Sequence, residues 1–309
     1  MYQISRRKFV ALSATGIATA SLGQVARLNS GTLTAQEIID RIKKNIGGEW
    51  KPDSVDTFKA GDPSTRITGI ATTALASLDM LGHAVKSGAN LIITCEPTFF
   101  SKADMPTPPA RRLPGQTGAQ PSAPLPPDPV FSAKDDFIKK YNLVIWRFSD
   151  HWRLRTPDPF VQGLGNALGW SKFADPSNPK IYSIPETSLD TLVLHVKKSL
   201  NSQGGMRIVG NPKLRVRKVA FLPGSTPIQA SVETLPSVDA IIAGEMREWE
   251  SVEYVRDTAD LGGRKSLALV GRIVSEGPGM HVCAQWLKTI VPEVTSTWVP
   301  VDDPYWRPV

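Results

Sequence analysis

An α/β fold is predicted for this chain by two patterns that alternate along it. Short runs rich in Val and Ile, such as Leu91-Ile92-Ile93-Thr94 and Ala240-Ile241-Ile242-Ala243, have the composition of strands buried on both faces. Between such runs lie segments whose apolar residues recur near the helical period, for instance Ala74, Leu75, Leu78, Leu81 and Val85. A third observation concerns where the runs stop: several end abruptly at acidic residues, the way strands of an open sheet deliver side chains to its carboxyl edge. The 309 residues suit one large domain or two interleaved α/β lobes, with ample length to bury a core.

The N-terminus carries Ser5-Arg6-Arg7-Lys8-Phe9-Val10 ahead of an uncharged, small-residue stretch from Ala11 to Gly23. This is the pattern of a twin-arginine export signal, so residues 1–30 are read as a signal segment and 31–309 as the folded domain. An exported, periplasmic protein is therefore expected; a cytoplasmic protein with a basic N-terminus is the alternative. The apolar part is too short and too rich in Ala, Ser, Thr and Gly to span a bilayer stably, and no other stretch is apolar for long enough. The formal net charge is +7. Arg6, Arg7 and Lys8 supply three of those charges, and the remaining +4 is an ordinary surface excess, not the basic stripe of a nucleic-acid binder. The two cysteines, Cys95 and Cys283, could pair in an oxidising compartment or remain buried thiols.

Thr34-Ala35-Gln36-Glu37 reads as a capping box opening a helix through Ile42. A Gly61-Asp62-Pro63 turn and a strand around 67–71 follow, then a helix from Thr73 to Asn90 closed by Gly88. The next strand, 91–94, ends at Cys95-Glu96-Pro97, completing a βαβ unit. Residues 105–129 hold nine prolines and two glycines, so 104–129 is read as an inserted, extended loop: a lid over the neighbouring site, or an insertion without catalytic role. Order resumes with a helix over 132–140 capped by Ser132, and a strand 143–146 that ends at Asp150-His151-Trp152. A helix near 187–200 and a strand 215–222 come next, the strand running into the turn Pro223-Gly224-Ser225-Thr226. The run 240–243 ends at Gly244-Glu245, and 266–270 ends at Gly271-Arg272-Ile273-Val274-Ser275-Glu276, before a helix starting near Pro278.

Four strands thus end in potential ligands or acid/base groups: Cys95 with Glu96, Asp150 with His151, Glu245, and Glu276. One carboxylate at a strand end commonly caps the next helix; four on one sheet point to a shared cleft with oxygen-rich, histidine-poor coordination. Only four histidines exist, and His83, His195 and His281 read as surface or packing residues, so a His-dominated zinc site is excluded.

The order of these motifs resembles the NIF-three-like family (NGG-one-interacting factors, also known as dinuclear-metal-centre proteins or GTP cyclohydrolase I type 2 homologues). The residues that carry the resemblance are Gly61-Asp62-Pro63, Thr68-Gly69-Ile70, the approach from Gly88 to Thr94, Phe221-Leu222-Pro223-Gly224-Ser225, the stretch from Asp239 to Glu245, and Gly271 with Ser275-Glu276. The resemblance implies two interleaved, similar α/β lobes, each with a mixed sheet flanked by helices, with a metal site in the cleft between them. It further implies a toroidal hexamer and a two-metal centre whose ligands are two consecutive histidines, an aspartate, and a histidine and glutamate four apart. Carried over by position, the consecutive histidines fall on Cys95 and Glu96, the aspartate on Asp150 beside His151, the last glutamate on Glu276, and the histidine before it on Arg272.

The departures matter. Glu96, Asp150, His151 and Glu276 would form an altered ligand set, to which Cys95 could add a thiolate suited to zinc. Arg272 cannot coordinate, and its fixed charge repels a dication. One divalent ion (zinc, manganese or iron), two, or none therefore all remain open. Two functions follow. In the first, the protein is a metal-dependent hydrolase acting through a metal-activated water, with Glu245 or Glu248 as general base, on a small-molecule substrate that the resemblance suggests is nucleotide-like or heterocyclic. In the second it is a non-catalytic, ring-forming binding or scaffold protein with a degenerate site. The modest charge and the export signal argue against nucleic acid as a partner.

Overall fold

In the computed structural model, residues 33–101, 104, 128–202 and 205–305 are described; residues 1–30, read above as an export signal, and most of the proline-rich stretch lie outside them. Helix α1 (Ala35–Asn45) opens as expected, with the Thr34 side chain accepting from the Glu37 amide and the Glu37 carboxylate accepting from the Thr34 amide. Then come β1 (Phe58–Ala60), β2 (Ile70–Thr73), α2 (Leu78–Lys86), β3 (Leu91–Thr94), α3 (Pro129–Lys140) and β4 (Val144–Arg147). Two helices, α4 (Asp150–Arg153) and α5 (Pro159–Ala167), lead to the second half of the chain.

That half begins with β5 (Ile181–Ser188), α6 (Leu189–Ser199) and β6 (Arg207–Val209). It continues with β7 (Arg215–Ser225), α7 (Ile228–Thr234) and β8 (Ala240–Glu245). A π-helical turn (Glu248–Val252) runs into α8 (Glu253–Asp260), and β9 (Ser266–Leu269), α9 (Arg272–Ile290) and β10 (Ser296–Trp298) complete the chain.

The strands form two mixed five-stranded sheets, ordered β1-β4-β3-β2-β10 and β5-β7-β8-β9-β6. In the first, only β1 runs antiparallel to its neighbour. In the second, β7, β8 and β9 are parallel, while β5 and β6 are antiparallel edges. The two-lobe α/β architecture is therefore as expected, and β10 returns from the second half of the chain to the first sheet, which interleaves the lobes. Strand side chains alternate between layers. Ile70, Leu91, Ile93 and Trp146 pack with α1 and α9, whereas Ala71, Ile92 and Ile145 pack with α2 and α3. The second sheet repeats this, Phe221 and Ile242 facing one layer, Leu222 and Ile241 the other.

The register aligns the carboxyl ends that matter. Thr73 pairs with Thr94, and Thr94 with Arg147, so the loops after β2, β3 and β4 leave from one edge.

Several boundaries differ from the sequence expectation. The helix expected from Thr73 starts at Leu78: Thr72 and Thr73 extend β2, and Ser77 accepts from the Met80 amide as N-cap. Gly88 does close that helix region, at φ +80°. The strand expected at 67–71 is β2, shifted to Ile70–Thr73. Asp128, not Ser132, caps α3, with Pro129 in the first turn. The helix expected from residue 187 begins at Leu189, because β5 runs through Ser188. Helix α9 starts at Arg272 rather than near Pro278, which lies inside it. This last shift has chemical consequences, since it places Glu276 on a helix, one turn after Arg272. Among the described residues no helix is long and apolar enough to cross a membrane.

Candidate functional site

Strand β3 runs through the core and delivers Cys95 and Glu96 immediately beyond its end. Opposite them, α9 begins directly after β9, and its first turn presents Arg272 and Glu276 on one face, four residues apart. Cys95, Glu96 and Glu276 are all buried, and one ligand atom from each lies within 4.8 Å of the others. Among the described residues, this is the group of His, Cys, Asp and Glu side chains compact enough to hold an ion.

Two guanidinium groups close on this cluster. Arg272 donates from Nε to Glu96 Oε1 at 2.9 Å and approaches the same oxygen with Nη2 at 2.7 Å. Its Nε also lies 3.8 Å from Glu276 Oε2, and its Nη1 3.6 Å from Glu245. Arg153, the last residue of α4, donates to Glu276 Oε1 at 2.8 Å. The Arg153 guanidinium is positioned by the Phe160 ring, 4.3 Å from the ring centre. The Cys95 thiol sits 3.9 Å from Glu276 Oε2 and donates to the Ala74 carbonyl.

The burial has electrostatic consequences. Desolvation, together with the neighbouring Glu96 carboxyl and a hydrogen bond shared with it, pushes Glu276 up to about 8. Desolvation and the two carboxylates push the Cys95 thiol well above its ordinary value, so it is a neutral thiol here. Backbone geometry makes room for the Glu276 carboxyl. Gly224 sits at φ +83°, and a Cβ there would meet Glu276 Oε1 at 2.6 Å. The Gly224 amide donates to Ser275 Oγ, which in turn donates to the Arg272 carbonyl, tying β7 to the first turn of α9.

Asp150 and His151 stand elsewhere. The Asp56 carboxylate accepts from the backbone amides of Ser149, Asp150 and His151 and bonds His151 Nδ1 at 2.8 Å. His151 Nε2 accepts from the Lys51 amide, which makes Nδ1 the protonated nitrogen, and its ring stacks on Trp50 at 3.6 Å. Asp150 accepts from the Val55 amide. Both ring nitrogens of His151 are thus engaged in holding the 50–56 loop against α4. Glu245, half-exposed, reaches the site only through Arg272, and Glu248 is exposed and paired with Arg207. Cys95 and Cys283 are separate buried thiols, not a disulfide. His195, as expected, is a packing residue, bonded to the Leu168 carbonyl and stacked on Trp170.

The donor set fits one divalent ion and not two. A thiol and two carboxyls converge without histidine, and the fourth and fifth donors that a second ion needs are absent from the cluster among the described residues. Arg272 and Arg153 bring two positive charges to the same oxygens a second ion would use. The sequence singles out Arg272 and the Gly224 turn, but not Arg153. Arg153 follows directly on the Asp150-His151-Trp152 cluster expected to supply ligands, and a lone arginine carries no positional signal.

A 660 Å³ cleft opens beside Glu96, with Leu78, Phe100, Lys134, Arg147 and Arg272 in its wall. A second cavity of 620 Å³ lies on the other side of Arg272 and includes Glu245.

No family profile matches this sequence, and no characterised protein matches it. Solved structures do. Staphylococcus aureus hypothetical protein SA1388 superimposes with a TM-score of 0.61 at 13% identity, covering 89% of this chain and 99% of that one. Protein ybgI, of unknown function, gives 0.62 at 17% identity, covering 88% and 100%. A Bacillus cereus protein related to NIF3 gives 0.59 at 14% identity, covering 88% and 98%. The likeness runs over whole chains, and it is one of fold.

Proposed function

We propose that this chain, built on the fold of the NIF3-related proteins, is a metal-binding, hydrolase-like protein with a single divalent ion held by Cys95, Glu96 and Glu276. The observation that supports it is the convergence of those three buried donors, within 4.8 Å, one of which, Glu96, lines a substrate-sized cleft. Zinc suits a thiol-containing set best; manganese and iron suit the carboxylates. A bound ion would lower the pKa of a coordinated water and polarise an electrophile. Arg153 and Arg272 orient the carboxyls by bonding one oxygen of each. Glu245, in the neighbouring 620 Å³ cavity and 3.6 Å from Arg272, is the carboxylate that would accept a proton from substrate or water. Glu248 has no such placement.

The alternative is a metal-free binding protein. It is favoured by the Arg272–Glu96 ion pair and the hydrogen bond from Arg153 to Glu276, which satisfy the carboxyls without any metal. Elemental analysis of the tag-free protein, with Glu96→Gln and Glu276→Gln alongside, separates the two. Near-stoichiometric metal in the wild type that falls in both variants supports the metal reading. None in the wild type after reconstitution, with melting indifferent to chelator, leaves the binding protein. We further propose a ring-forming homo-oligomer and export through the twin-arginine pathway. A solution mass of one chain would sink the first, and unprocessed cytosolic product the second.

A further inference from the structure

Helix α3 buries Phe131, Lys134 and Ile138, the i, i+3, i+7 stripe by which an amphipathic helix meets its core. A lysine stands where that stripe calls for an apolar residue. Lys134 is 2% exposed, on the helix face whose neighbours Phe131 and Ile138 pack in one cluster with Phe99. A lysine so withdrawn from water needs a reason. Its Nζ donates to the Thr98 carbonyl at 2.6 Å and lies 5.0 Å from the centre of the Phe100 ring. Desolvation pushes the ammonium down to about 8, against the opposing pull of Asp104. Near pH 7 about a tenth of it is then neutral amine, against about four parts in ten thousand for an ordinary lysine.

The surroundings supply what an amine nucleophile needs. Lys134 lines the 660 Å³ cleft together with Ser101, and Leu78, Pro97 and Phe100 give that cleft an apolar wall. Thr98 Oγ1, Ser101 Oγ and Asp104 Oδ2 are buried without a hydrogen-bond partner among the described residues. Buried polar atoms are nearly always paired, so three orphans on one loop mark a place where a hydroxyl or a water is handled. Asp104 holds that loop with its other oxygen, which accepts from the Thr98 and Phe99 amides. The remaining charged groups of the cleft, Glu96, Arg147 and Arg272, anchor elsewhere: Arg272 bonds Glu96, and Arg147 donates to the Cys95 carbonyl.

We propose that Lys134 is a covalent site for small aldehydes, taken as an iminium whose carbon lies in this cleft and whose organic part rests on Phe100 and Leu78. The ammonium releases one proton, the neutral amine adds to the carbonyl carbon, and one of its protons moves to the carbonyl oxygen. The carbinolamine hydroxyl then takes up a proton and leaves as water, forming the C=N bond. Overall, ammonium and aldehyde combine with loss of one water, and the single positive charge is conserved. That conservation selects this chemistry over other lysine modifications. Asp104 faces one positive charge before and after, whereas acylation or carbamylation of Lys134 would leave it unmatched. The inference goes beyond the metal reading and uses none of Cys95, Glu96 and Glu276.

The test is reductive trapping of the folded protein at pH 7 with benzaldehyde or acetaldehyde. Sodium cyanoborohydride donates hydride to any iminium and makes the adduct permanent. Peptide mapping by mass spectrometry then ranks the lysines by rate, with metal content measured on the same samples. Lys134 should label at least about tenfold faster than the surface lysines, part of its advantage in neutral amine being offset by narrower access. Phe100→Ala should slow benzaldehyde at Lys134 more than it slows acetaldehyde, and Lys134→Met should remove the fast phase of adduct formation. Melting curves show whether the variants fold; if Lys134→Met does not, the wild-type peptide map carries the test. A lysine that only ties the loop to α3 would be shielded, labelling more slowly than the surface lysines until the protein is denatured. That result, or a fast phase that persists in folded Lys134→Met, would overturn the assignment. Fast labelling of Lys134 in protein that takes up no metal would remove the metal reading and leave this one standing; bound metal with a shielded Lys134 would do the reverse.

Discussion

Glu276 is the residue whose chemistry depends most on its surroundings. A carboxyl normally titrating near 4.5 is pushed to about 8 by burial and by Glu96, against the opposing pull of Arg153 and Arg272. The folded, metal-free protein therefore holds a proton over a pH range in which the unfolded chain has released it. The stability from this group is complete below about 4.5 and is lost as pH rises through about 8. While both states differ by one proton the slope is about 1.4 kcal/mol per pH unit. Glu276→Gln cannot ionise, so in the presence of chelator it should melt above the wild type at pH 9 and close to it at pH 4. Denaturant melts at the two values check this, and equal wild-type and variant stability at pH 9 would refute it. His151 shows the reverse case. A histidine next to an aspartate looks like a ligand pair in sequence, yet Asp56 and the Lys51 amide occupy both its nitrogens.

Helix α9 and its partner α5 show how an element can be specified by residues that do nothing chemical. The two helices approach closely where Gly163 faces Pro278 and Gly279 faces Phe160; a Cβ on either glycine would overlap the opposing atoms. Gly163→Ala should therefore destabilise the protein, although in an unpacked helix the same change is favourable by about 1 kcal/mol. Overpacking of this kind costs about 1–3 kcal/mol, visible as a lowered melting temperature. A rise in melting temperature would show that the crossing is looser than described. Pro278 does not open α9 but lies inside it. Arg272 to Gly277 are already helical, and the Pro278 carbonyl lies at the narrow point where Gly163 of α5 packs.

On the scale of the molecule, α9 joins the lobes. Its first turn bonds the Gly224 amide in the second sheet through Ser275, and Met280, Cys283 and Leu287 lie in the core of the first. The Met280 carbonyl accepts from Thr72 of β2, and β10 then completes the first sheet. Neither lobe can lose its half of this helix alone, so calorimetry should record one cooperative transition despite two sheets. Two separated transitions would show that the lobes unfold independently. This arrangement also sets the site: Cys95 and Glu96 come from the first lobe and Glu276 from the helix bridging both.

The strands of both sheets were legible because buried strands announce themselves as Val- and Ile-rich runs, and β3, β4, β7, β8 and β9 were read within a few residues. The short edges β1, β6 and β10 were not, since three-residue strands carry too little pattern to separate from loops, nor was the edge strand β5, whose apolar run is cut by Pro185. Cys95, Glu96 and Glu276 were legible as residues that follow apolar runs, and the capping box at Thr34 as a local hydrogen-bonding motif. Local signals of that kind are written in neighbouring residues. Which carboxylates meet, and that Arg153 rather than Asp150 or His151 faces Glu276, depended on contacts between positions a hundred or more residues apart, such as Arg153 with Glu276 and His151 with the Lys51 amide. Those pairings are fixed by how α4, α5 and α9 pack, and no local pattern encodes a packing that only the assembled core defines.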